Sequence, residues 1–76
     1  VNFSDALSLL VRRRRVSRVG WNGKGMFLQY VPDAPAPPGS PYQSRAYIEL
    51  KDATDCLVPW VPSQSDLLAV DWEVLP

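Results

Sequence analysis

One cysteine and no histidine is a severe restriction on a chain of 76 residues. A domain this small buries only about 60% of the surface its unfolded chain exposes. Such domains lean on disulfides, metals or partner subunits. Cys56 has no second cysteine to pair with, and no Cys/His set exists for zinc. Oligomerisation is therefore the expected source of extra burial. The same shortage restricts chemistry. No imidazole can shuttle protons near neutral pH. Cys56 lies between Asp55 and Leu57, with no cation beside it in sequence to lower its pKa. Ser63 and Ser65 have no evident base. Asp66 and Asp71 are five apart, which on a helix sets them on different faces. The expectation is a non-enzymatic protein without metal or cofactor.

Charge is balanced overall but unevenly placed. Residues 1–25 hold six basic side chains (Arg12, Arg13, Arg14, Arg15, Arg18, Lys24) against Asp5 alone. Residues 26–76 hold Arg45 and Lys51 against seven acids. That asymmetry predicts a compact anionic partner near the N-terminal third, not a long polyanion. No apolar run approaches the length of a membrane span, and nothing at the start reads as a signal peptide. The lone thiol suits a reducing cytoplasm.

The periodicity predicts an α+β fold over 1–76. It reads as a small antiparallel sheet with an N-terminal helix and a short second helix near the C-terminus. Asn2 caps the first helix, with Asp5 three residues on. Phe3, Ala6, Leu7, Leu10 and Val11 recur at helical spacing, giving a helix from Phe3 to about Arg13 with arginines in its last turn. The period then shortens to two. Val16, Arg18, Val19 and Trp21 form a strand, and Met26 to Val31 a second, apolar on both faces and so expected to be covered on both. The two make a hairpin. Five of the eight prolines fall in 32–41, a stiff extended surface loop in which no ladder is expected. Ala46 to Lys51 is the third strand. Cys56 to Val58 is a fourth, stopped by Pro59. Ser63 and Asp66 form a capping box that opens a helix over Gln64 to Val70. Asp71 to Val74 is the last strand.

Trp21-Asn22-Gly23-Lys24-Gly25 is the densest chemical cluster. Asn-Gly is a turn dipeptide, and glycine lets backbone approach a ligand closely. The stretch reads equally as a plain turn with a packed Trp or as half of a nucleotide pocket. In the second reading Trp21 stacks on a base, while Lys24 and the glycine N–H groups hold phosphate. The Ser63-Gln64-Ser65-Asp66 helix start is a second polar or anion site, or simply a cap. Trp60, between two prolines, reads as core or interface. Trp72 reads as core or as a second stacking plane. The run Arg12 to Arg15 is a solvated helix end, or a clamp that presents Arg forks to phosphate. Consecutive helical residues diverge by about 100°, so at most two of the four face one ligand within a subunit. As a nucleic-acid footprint the run is short and lacks interleaved aromatics.

Asn2-Phe3, Ala6-Leu7, the block Gly20 to Leu28, Val58-Pro59-Trp60, Ser63-Gln64, Asp66 to Ala69 and Asp71-Trp72 together resemble a family of small phage proteins. That family includes the second class of anti-Thoeris proteins, the cyclic-nucleotide sponges. The blocks occur in order, with matching spacing, along nearly the whole chain. The arginine run is heavier than the family's one or two basic residues there.

The resemblance implies a non-enzymatic homotetramer in the cytoplasm of the infected bacterial host. It would bind glycocyclic ADP-ribose, the signal of Thoeris TIR enzymes, between subunits. It would also take cyclic di- or tri-nucleotides of CBASS-type defence at a separate site. On this reading the ligand residues are Trp21, Asn22, Gly23, Lys24, Gly25, Ser63, Gln64, Ser65, Asp66 and Trp72. Arg12, Arg13, Arg15 and Arg18 are the candidates for the second anion site. The competing reading is a protein–protein interaction module that uses the Trp residues and the Pro-rich loop.

Overall fold

The computed structural model describes residues 1–21 and 24–76. It is α+β, as the periodicity predicts. The order is α1 (Phe3–Val11), β1 (Val16–Arg18), β2 (Phe27–Val31), β3 (Tyr47–Lys51), β4 (Leu57–Pro59), α2 (Gln64–Leu68) and β5 (Trp72–Val74). The strands form one sheet in the order β4-β3-β2-β1-β5, with every neighbouring pair antiparallel. The last strand thus returns to pair with the first, and this brings the C-terminal residues beside the Trp21 turn.

α1 begins where Asn2 accepts a hydrogen bond from the Asp5 N–H at 2.9 Å. It buries Ala6 and Leu10 against one face of the sheet. The register Val16↔Leu28↔Leu50 sets one inward row, and Arg18↔Trp72 sets the next. Ala6, Leu10, Val16, Leu28 and Trp72 are the buried apolar residues. Around them pack Phe3, Leu9, Trp21, Ile48, Leu50, Trp60 and Ala69. The opposite face of the sheet carries Ser17, Phe27, Gln29, Glu49 and Lys51. Among the described elements α1 is the only helix packed on β2, so no helix covers the side that carries Phe27, Gln29 and Val31, contrary to the strand's apolar pattern. Phe27 on the open side is shielded instead by cations: the Arg15 guanidinium lies 4.6 Å from its ring centre.

α1 stops two residues short of Arg13. The Arg13 N–H donates to Leu10 and the Arg14 N–H to Leu9, the paired bonds of a Schellman cap. Arg13 occupies the left-handed position of that cap, with φ 70°. Glycine usually fills this position, because a Cβ there costs about 1 kcal/mol. Arg13 recovers part of this through its guanidinium, 4.3 Å from the centre of the Tyr30 ring, a contact worth about 0.5–1 kcal/mol at an exposed site. Arg13→Ala keeps the strain and loses the ring, and is expected to cost about 0.5–1 kcal/mol in urea unfolding. Arg13→Gly is expected to cost less, since relief of the strain offsets the lost contact.

The other boundaries differ for local reasons. β1 ends at Arg18 because the Trp21 N–H turns back to the Arg18 carbonyl at 3.2 Å. Pro59 ends β4 as its last residue, paired with Glu49. It is tolerated because β4 is an edge strand. The Pro-rich loop is exposed but not simply extended. Ala34 and Ser44 form an isolated antiparallel bridge across it, and Asp33 accepts from the Ala46 N–H. The expectation of no ladder is thus corrected by one bridge, made at residues that are not proline.

Candidate ligand-binding site

The return of β5 alongside β1 places Asp71 next to the root of the turn. Asp71 Oδ2 accepts from the Gly20 N–H at 2.9 Å, and Oδ1 accepts from Arg18 Nε at 2.9 Å. Arg18 Nη1 donates to Asp66 Oδ1, also at 2.9 Å. The same Asp66 oxygen takes a longer bond, 3.4 Å, from the Trp21 indole N–H. One guanidinium therefore spans two carboxylates, and the pair of them holds both the turn and its tryptophan. Trp21 meets the buried Trp72 edge-on, at 5.4 Å between ring centres and 80° between planes. The rest of its ring is half-exposed.

At the far side of the turn the Gly25 carbonyl accepts from Lys51 Nζ at 3.0 Å. Gly25 has φ +74°, open to glycine and strained for other residues. Lys24 is exposed between these stems. Asn22 and Gly23, also assigned to the ligand, lie outside the described residues.

Ser63 and Asp66 form the capping box expected from their spacing: the Asp66 N–H donates to Ser63 Oγ, and the Ser63 N–H donates to Asp66 Oδ2, each at 3.1 Å. The helix start thus already holds a carboxylate. That makes it a poor place for a phosphate and a better one for hydroxyl or amino donors. Ser63, Gln64 and Ser65 are exposed around it. The Trp21 turn and the Ser63–Asp66 segment meet within one subunit, through Asp66.

Two assigned residues are not available. Trp72 is 2% exposed. Phe3, Trp21 and Trp60 surround its ring, and its indole N–H donates to the Asp66 carbonyl at 3.0 Å. It cannot offer a stacking plane. Arg18 is committed to Asp66 and Asp71 and is corrected out of the second anion site. The remaining arginines do not converge either. Arg13 lies over Tyr30 on the helix side of the sheet and Arg15 over Phe27 on the open side, while Arg12 and Arg14 are exposed.

Sequence reasoning missed Asp71 and Lys51. It placed Asp71 at the start of the last strand and weighed it only as a carboxylate partner of Asp66, which it dismissed by helix spacing. What it lacked was the pairing of that last strand with β1, which no local pattern supplies. Among the described residues no cluster of His, Cys, Asp and Glu is arranged to hold a metal.

The two carboxylates lie below the usual range. For Asp71 the first cause is the Arg18 hydrogen bond, then that from Gly20. For Asp66 burial pushes upward, but hydrogen bonds from Ser63, Arg18 and Trp21 together outweigh it. A carboxylate depressed by folding stabilises the fold above its unfolded pKa and loses that stabilisation as pH falls through the folded one. The urea midpoint is therefore expected to fall as pH drops below about 4. Asp71→Asn should make that fall shallower. A fall of equal steepness in the variant would mean that Asp71 is not among the groups responsible.

The pattern of the Thoeris anti-defense 2-like domain matches residues 1–75. This chain belongs to that family. A relative from Bacillus phage SP01, Thoeris anti-defense 2, is 33% identical over 84 residues, which is 99% of this chain and 94% of the relative. Membership in the Thoeris anti-defense 2-like family makes the protein one of anti-Thoeris defence evasion. No helix among the described residues is long and apolar enough to cross a membrane.

Proposed function

We propose that this protein binds a cyclic nucleotide immune signal and holds it without cleaving it. The preferred ligand is the glycocyclic ADP-ribose of Thoeris, sequestered in the cytoplasm of the infected host. The observation that carries this reading is the half-exposed Trp21, braced at its indole N–H, with an exposed Lys24 three residues on in sequence. An aromatic surface and a cation are the pair that a base with a phosphate requires. The two halves divide the work. Lys24 and the turn backbone face phosphate. Asp66, with Ser63, Gln64 and Ser65, faces ribose hydroxyls or the amino group of the base. Among the described residues of this set no Ser hydroxyl donates to a carboxylate, which supports a sponge over an enzyme. A sponge must bind tightly: a nanomolar Kd corresponds to about −12 kcal/mol.

The protein acts as a homotetramer with pockets between subunits. Its contact surface is the groove of about 440 Å³ between α1 and the sheet, lined by Phe3, Leu7, Val11, Tyr30, Ile48 and Trp60 among others. A second copy is the natural occupant, because only five apolar side chains are fully buried among the described residues of one subunit. Such a core is too small to stand alone comfortably. The groove contains Trp60 and Pro62 but no residue of the 32–41 loop, which favours self-association over the interaction-module reading. Arg12, Arg13 and Arg15, brought together from different subunits, form the separate site for cyclic di- or tri-nucleotides of CBASS.

Calorimetry tests the proposal directly. Glycocyclic ADP-ribose should bind with heat, at one stoichiometry per pocket, and should be recovered intact after heat denaturation. No heat with any isomer or cyclic oligonucleotide overturns the sponge reading. Recovery of a cleaved product would make the protein an enzyme.

A further inference from the structure

Arg18 stands in the basic N-terminal third, two residues before the turn, where a phosphate contact would be expected. Its surroundings say otherwise. Its side chain is only 20% exposed, and it donates from Nε to Asp71 and from Nη1 to Asp66. Two acids face it, so the local charge is net negative, which repels phosphate. Both acids have other partners in the site: Asp71 holds the Gly20 N–H, and Asp66 holds the Trp21 indole and the start of α2.

The glycine at position 20 fits the same device. A Cβ there would lie 2.9 Å from Asp71 Oδ2. Gly20 is therefore the residue that lets the carboxylate reach the backbone and remain on Arg18. On the other stem a Cβ at Gly25 would lie 3.1 Å from Lys51 Nζ. The two glycines that bound the turn each admit a charged side chain from a neighbouring strand or its lead-in. The turn is thereby gripped at both ends.

We infer that Arg18 is a positioning residue, which touches no ligand and instead locks the Trp21 turn to the start of α2 through Asp66 and Asp71. The inference rests on the proposal that Trp21 and the Ser63–Asp66 segment form one pocket. It adds that their mutual position is set before ligand arrives, which lowers the ordering cost of binding. Lysine cannot replace Arg18 fully, because its single ammonium lacks the fork that spans two carboxylates.

The test uses the full chain, glycocyclic ADP-ribose as probe, and four proteins: unaltered, Arg18→Met, Arg18→Lys and Asp71→Asn. Direct contact and positioning predict opposite signs for Asp71→Asn. If Arg18 touched the anion, removing its acidic partner would free it and tighten binding. As a positioning residue, it loses its anchor and binding weakens. Arg18→Met is expected to weaken affinity on the order of ten- to a hundredfold, by analogy with the loss seen when residues that orient metal ligands are removed. Arg18→Lys should fall between, and Asp71→Asn should weaken binding in the same direction.

Ligand-free ¹H–¹⁵N spectra supply a second readout. The Trp21 indole and Gly20 amide signals should move in Arg18→Lys and Asp71→Asn, with the Trp60 indole unmoved. Tighter or unchanged binding in Asp71→Asn, or an unmoved Trp21 indole, overturns the inference. Should Arg18→Met fail to fold, the other two variants decide. If the unaltered protein gives no heat with the probe, the pocket reading falls, and the indole signals alone judge the brace.

Discussion

Trp72→Ala is expected to remove a large part of the protein's stability. A fully buried Trp reduced to Ala typically costs about 3–5 kcal/mol. A chain of this length has a total stability of only about 4–11 kcal/mol at roughly 0.05–0.15 kcal/mol per residue. Trp72 is also a hub. Its ring centre lies 5.4 Å from Phe3, 5.4 Å from Trp21 and 6.0 Å from Trp60. It thus joins α1, the turn and the segment before α2. Removing it also strips the Asp66 carbonyl of its indole donor. Trp72→Phe should cost less, since it keeps most of the ring burial and loses the hydrogen bond. Urea unfolding followed by circular dichroism measures both. A cost below about 1 kcal/mol for Trp72→Ala would mean the core is not organised around this residue.

Trp21→Ala is the second large effect, and it falls on binding. Stacking of a base on an aromatic side chain is worth about 1–3 kcal/mol by alanine substitution. Affinity for glycocyclic ADP-ribose should therefore drop by roughly five- to a hundredfold or more. Stability should drop less, because Trp21 is half-exposed and its edge contact with Trp72 is worth about 0.5–1.5 kcal/mol. Trp21→Phe separates the two roles of the ring. It retains a stacking surface and loses the bond to Asp66, so its affinity should lie between those of the other two. Titration calorimetry on folded variants decides the matter. Unchanged affinity in Trp21→Ala would place the ligand elsewhere.

Much of the fold can be read in the chain because its signals are local. Asn2 with Asp5, and Ser63 with Asp66, are capping patterns that lie within four residues. The structure places a helix start at each. The strands around Phe27–Val31 and Tyr47–Lys51 follow from β-branched and aromatic runs bounded by turns and prolines. Pairing is what local pattern cannot supply. Strand β5 returns to β1, and so Asp71 reaches Arg18 and Gly20 across 53 and 51 positions of sequence. That long-range step turned Arg18 from an apparent phosphate ligand into a brace. It also turned Trp72 from a candidate stacking plane into the core. Apolarity alone does not distinguish a strand covered by its own chain from one shielded by stacked cations, as at Phe27. Arg13 was illegible for a different reason: nothing in the run of four arginines marks the one that takes the left-handed cap.

The two stems of the turn are the physical centre of the site. Asp71 holds Gly20, Lys51 holds Gly25, and Asp66 holds the tryptophan between them. The most direct measurement is native mass spectrometry of the protein purified from cells that make the Thoeris signal, beside Trp21→Ala purified in parallel. The expected result is a multi-subunit assembly that carries a nucleotide mass, releases it chemically intact on denaturation, and loses it in Trp21→Ala. A nucleotide-free protein, or equal retention by the Trp21→Ala variant, would contradict it.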